Sequence, residues 1–73
     1  MFLAITVRTN LIRRVVVMLF EVDFALRING NYQTIHTAFV AADSVSECMD
    51  KAEGIRDELP QSKNQHVHIF IGD

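Results

Sequence analysis

The histidines are the side chains of this chain best suited to chemistry. His66 and His68 stand in a His-x-His spacing. On a β-strand that spacing puts both imidazoles on one face, because side chains alternate with period two. A third imidazole and a carboxylate alongside would complete a four-coordinate N/O set of the kind that suits Zn2+. His36 and Asp23 are the available candidates. A plainer reading competes with this one. Asp23 and His36 would form an ordinary cross-strand pair worth ~0.2–1 kcal/mol, and the other two histidines would be part-solvated strand residues. His-x-His is short and common, so the plainer reading is preferred, and no metal or cofactor is expected.

Other catalytic arrangements find no support. There is no P-loop, no dinucleotide glycine pattern, no paired-carboxylate cleft and no Ser/His/Asp spacing. A non-catalytic protein is expected. The single cysteine, Cys48, excludes an internal disulfide and a cysteine-cluster zinc site. It reads as a small, partly buried helix residue, with a reactive thiol as the alternative. This usage suits a reducing, cytoplasmic setting.

The elements that position these side chains are legible from polarity. Phe20, Val22, Phe24, Leu26 and Ile28 alternate with polar residues before Asn29-Gly30, and Ile35, Thr37 and Phe39 do so after it. Asn-Gly supplies the positive φ that a two-residue type I′ turn requires. Such a turn sets Leu26 opposite Gln33, Phe24 opposite Ile35, Val22 opposite Thr37 and Phe20 opposite Phe39. The first strand is expected over about 17–28, reaching back to Val15 at most, and the second over about 32–41.

A helix follows. Ser44 and Glu47 make an S-x-x-E capping box, with Asp43 as a competing cap. Val45, Cys48, Met49, Ala52, Ile55 and Leu59 form one apolar stripe. Gly54 lies within the helix, explained by close packing on the sheet or by simple tolerance. Pro60 ends the helix. The last strand is expected over about 65–71. The fold class is therefore α+β: a β-β-α-β unit with one helix on one face of a small, mainly antiparallel sheet. The helix is long enough to skip a strand, so strand order 2-1-3 is expected, with 18–28 central.

Function should lie on the face that the helix leaves open. In the register above that face carries Leu19, Asp23, His36 and Val40, joined by His66, His68 and Phe70 from the last strand. Asp23 would stand between His36 and the His66/His68 pair. Leu19, Val40 and Phe70 make this face apolar enough to serve as a partner surface. The preferred function is a small protein–protein interaction module, an inhibitor or adaptor, acting through this face or through an edge strand. The alternative is a metal-binding or single-stranded nucleic-acid-binding module using His36, His66, His68 and Phe70. Phe70 and Tyr32 would be the stacking platforms, although no RNP-like string is present.

Seventy-three residues make one domain at most, and 49% of them are apolar. So short a chain has difficulty stabilising a core alone, which favours a homodimer. A net charge of −2 argues against a general DNA-backbone binder. Nucleic acid is an unfavoured partner and a membrane is not expected, because no stretch reaches the ~20 apolar residues of a span. Residues 1–17 read as an extension or as an extra strand over 2–8 with a Thr9-Asn10 turn. Residues 18–73 read as the compact domain, and Met18 is a candidate native start.

The stretch from Phe39 to Ala52, Phe-Val-Ala-Ala-Asp-Ser-Val-Ser-Glu-Cys-Met-Asp-Lys-Ala, resembles the strand-to-helix junction of HicB-type antitoxin domains. The Gly-Cys-rich turn and three-strand meander that precede the helix in that family are missing, so no family is assigned. Small size and an interaction-prone face are also similar to accessory proteins of phages and mobile elements, which is analogy alone.

Overall fold

The computed structural model describes residues 2–8 and 14–72, with side-chain surroundings from residue 17 onward. The elements are β1 (Phe2–Arg8), β2 (Arg14–Ile28), β3 (Asn31–Ala42), α1 (Val45–Glu58), a 3-10 turn (Pro60–Lys63) and β4 (His68–Gly72). Asn29 and Gly30 take φ of 53° and 82°, the left-handed values that a two-residue hairpin turn needs. They join β2 to β3, with Ile28 opposite Asn31.

β2 is the spine of the sheet. At ~3.3 Å per residue it runs ~50 Å, matching the molecule's longest dimension of 51 Å. β3 pairs along one side of it. β4 and β1 share the other side, end to end. Gly72 stands opposite Glu21, and the next position, Phe20, faces Phe2. All of these pairings are antiparallel. The fold is thus α+β with strand order β3-β2-β4, the expected 2-1-3, and β1 extends the β4 edge. The strand expected over 2–8 forms on β2 of the same chain. Its suggested turn at Thr9-Asn10 lies outside the described residues.

The helix is capped as its sequence dictates. Ser44 is the N-cap, and its Oγ accepts from the Glu47 backbone N–H at 3.1 Å. Glu47 Oε1 returns the bond to the backbone N–H of Asp43 at 2.9 Å, one residue before the cap. Asp43 therefore contributes its backbone while Ser44 caps. Leu59 closes the helix with its N–H on the Arg56 carbonyl, and Pro60 opens the 3-10 turn. Of the apolar stripe, Cys48 and Ala52 are fully buried, and Ile55 and Leu59 pack against the core. Val45 is 58% exposed. Nothing lies within 4 Å of a methyl placed on Gly54, so tolerance explains that glycine and close packing does not.

The hairpin register departs from expectation partway along. Leu26–Gln33 and Ala25–Thr34 pair as the turn dictates, but the register then slips, and Phe24 faces His36 with Ile35 as the extra residue. This β-bulge exchanges the faces of the rest of β3. Val40 becomes 5% exposed inside the core, while Phe39 is 66% exposed. The physical cause is volume. Near its start α1 meets the sheet through Cys48, Ala52, Val40 and Ala42, all small and buried. A phenylalanine there would overpack the gap. The core is completed by Phe20, Val22, Phe24, Leu26 and Val67.

Candidate functional site

The open face is built on the odd-numbered residues of β2. Ala25 is the pivot. It lies between Thr34 of β3 and His68 of β4. Strands two places apart are separated by ~9.5 Å. Even so, the Tyr32 ring lies 5.0 Å from that of His68 and 5.1 Å from that of Phe70, edge-on to both. The rings reach each other by leaning over β2, and only a methyl at position 25 leaves room. This explains why Ala25 is 1% exposed on a face that no helix covers.

The cluster extends outward from this pivot. The His68 and Phe70 rings stack with centroids 6.5 Å apart, and His66 meets His68 edge-on at 4.4 Å. The Arg27 guanidinium lies 5.8 Å from the Tyr32 ring centre, within cation–π range. Tyr32 and Phe70 nevertheless remain 51% and 44% exposed. The platform is ordered by its neighbours yet accessible to a partner.

The expected site residues divide. Asp23, His68 and Phe70 take the open face, with Phe70 opposite Asp23, and Leu19 joins them by alternation along β2. His66 precedes β4 and reaches the cluster through His68. Val40 and His36 do not belong there, because the bulge turns both toward the helix side. Val40 is a core residue. His36 faces Phe24, its ring 5.7 Å away and tilted by 39°. The expected Asp23–His36 pair is replaced by Asp23 with Thr37, whose Oγ1 donates to Asp23 Oδ1 at 2.8 Å. His36 and Asp23 thus lie on opposite faces and cannot join His66 and His68 around one ion. Among the described residues no group of three or more His, Cys, Asp or Glu side chains is placed to hold a metal.

Arg27, Ala25 and Phe39 were not among the expected site residues. Arg27 and Ala25 could have been found from Tyr32, since a ring beside a tight turn reaches diagonally across the central strand. Phe39 could be found only by recognising the bulge. The thiol of Cys48 is buried, and burial raises its pKa against the opposing charge of Lys51. That is the environment of an inert cysteine. A shallow cleft of about 340 Å³ at the end of α1 is lined by Arg56, Asp57, Ser62, Gln65, His66 and Val67. Arg56 Nε donates to Asp57 Oδ1 at 3.1 Å across this cleft's rim. No described helix is long and apolar enough to cross a membrane. Comparison with protein-family models, curated proteins and solved structures finds no match.

Proposed function

We propose that the chain is a small, non-catalytic protein-binding module, an inhibitor or adaptor, that engages its target with the open face of the sheet. The observation that carries this reading is the ring cluster of Tyr32, His68 and Phe70 seated over Ala25, in which Tyr32 and Phe70 are exposed and His68 is half-buried. Its rings are held on strands and by one another, so little side-chain freedom is lost on binding. Tyrosine and arginine, with tryptophan, are enriched at the energetic centres of interfaces. Glu21 and Asp23 continue the same face along β2, placing carboxylates where a phosphate backbone would be repelled. A protein surface offering apolar and basic side chains fits this face better. The buried Cys48 suits work in a reducing cytoplasm.

A second reading draws on the same rings, because exposed aromatics on a sheet also stack unpaired bases. Affinity capture from the native host, with the parent and a Phe70→Asp variant as baits, separates the two. The expected result is a protein captured by the parent, lost with Phe70→Asp, and indifferent to nuclease and to chelator. Capture abolished by nuclease would replace this reading with nucleic-acid binding. Capture abolished by chelator would point to the His66/His68 pair.

A further inference from the structure

We infer that the outer edge of β3 is a self-pairing edge, through which two copies of the chain join their sheets about a twofold axis. This goes beyond the open-face reading and uses a different surface. β3 pairs with β2 along one side, and no other described strand takes its second side. Soluble proteins protect such edges with lysine, proline, inward charges or short strands. The twelve residues Asn31–Ala42 contain no charged residue and no proline. The protections found are the bulge at Ile35 and one lysine from the helix. Lys51 Nζ donates to the Ala41 carbonyl at 2.7 Å.

That lysine also reveals the phase of the edge. The Ala41 carbonyl points away from β2, toward Lys51. In an antiparallel strand, alternate residues direct both backbone groups to the same side. Phe39 and Thr37 therefore also point their N–H and C=O outward, while Val40 and Ala38 bond to β2. Both outward residues are exposed. The regular segment after the bulge is thus a short free ladder, closed at one end by Ile35 and at the other by Lys51.

A second copy fits this ladder. With the twofold axis at Ala38, Thr37 of each copy pairs with Phe39 of the other. Ala41 keeps its lysine, and neither bulge has to be crossed. Because the strand is uncharged, apposing it with itself brings no like charges together. Phe39, 66% exposed in the single chain, gains the Thr37 methyl of the other copy as a neighbour. The opposite edge of the sheet is a poorer template, because it changes from β4 to β1 between Gly72 and Phe2. Twofold dimers are the commonest assemblies of identical chains.

The test uses Phe39→Pro and Phe39→Ala in the full chain. Proline removes the outward N–H and leaves the β2 ladder intact, as edge prolines do. Alanine keeps the N–H and removes the ring. Sedimentation should find the parent dimeric and Phe39→Ala still dimeric. Phe39→Pro should dimerise at least about thirtyfold more weakly, the effect of losing one backbone hydrogen bond on each side of the axis. Should Phe39→Pro fail to fold, hydrogen exchange on the parent decides. The Thr37 and Phe39 amides should exchange slowly in concentrated protein and fast on dilution. A parent that stays monomeric at high concentration overturns the proposal. So does a Phe39→Ala monomer, which would place the contact in side chains, or fast exchange of both amides within a dimer. The Tyr32–Phe70 cluster is untouched by these variants, so capture through the open face can fail or succeed independently.

Discussion

Exchanging the fates of Phe39 and Val40 is the sharpest test of how this sheet is built. Alanine at each position separates the bulged register from the unbroken one. Val40 is 5% exposed among Ala42, Cys48 and Ala52. Val40→Ala removes the equivalent of two buried carbon groups, ~1.6 kcal/mol at ~0.8 each. The cavity left in a rigid neighbourhood raises this to about 2–3 kcal/mol. Phe39 keeps only about a third of its surface covered, so Phe39→Ala should cost about 1 kcal/mol or less. An unbroken register reverses the order, with ~3–5 kcal/mol lost at Phe39 and almost nothing at Val40. Urea unfolding followed by far-UV circular dichroism measures both. A single dilute concentration is needed, since association adds concentration-dependent stability. In a domain of this size each kcal/mol moves Tm by ~4–8 °C. Val40→Ala should therefore melt at least ~8 °C below the parent. A Phe39→Ala variant that is unfolded, beside a Val40→Ala variant that melts like the parent, would refute the bulge and the face assignments resting on it.

Two further outcomes follow from the helix. Gly54→Ala should stabilise the protein by about 0.5–1 kcal/mol, because the site is helical and a methyl there meets nothing within 4 Å; a destabilised variant in urea unfolding would show that the helix surface is crowded. Cys48 has its thiol pKa raised by burial, so above the ordinary thiol range the unfolded chain loses its proton before the folded one does. Stability should fall as pH rises through that window and level off once the folded thiol ionises, and Cys48→Ala should flatten the profile; an unchanged slope in the variant would assign it to other groups.

The features legible in the sequence are those whose physics is local. Asn29-Gly30 accepts positive φ, Ser44 and Glu47 satisfy helix donors, and Pro60 stops the helix, each by means contained within a few residues. The strand order followed from a helix long enough to skip one strand and from an apolar strand suited to the centre. The open-face positions of Asp23, His68 and Phe70 followed from alternation. The register of β3 beyond Ile35 was not legible, because both of its parities are plausible faces. Ile35, Thr37 and Phe39 make one set, and Ala38, Val40 and Ala42 the other. Polarity cannot choose between two apolar parities. The choice rests on the depth of the gap beneath α1, which depends on Cys48 and Ala52 six to fourteen residues downstream. The backward reach of β2 to Arg14 had a similar non-local origin, since it depends on pairing with β1.

One inserted residue therefore acts from the core out to the open face and the β3 edge. By absorbing Ile35, the bulge lets Val40 and Ala42 line the tight seat beneath the helix. The same slip carries His36 away from Asp23 and brings Thr37 opposite it, so a geometry that could have approached a metal site becomes a hydroxyl–carboxylate pair. It also moves Phe39 from the core to the open side of the edge, beside the outward amides of an uncharged strand. Before the bulge, Tyr32 and Thr34 keep the register set by the turn, and this aims the Tyr32 ring across Ala25 at Phe70. The aromatic platform and the free edge thus lie on opposite sides of Ile35 in the same strand. Restoring the unbroken register would turn the Phe39 side of the edge inward while leaving the Tyr32 platform where it is.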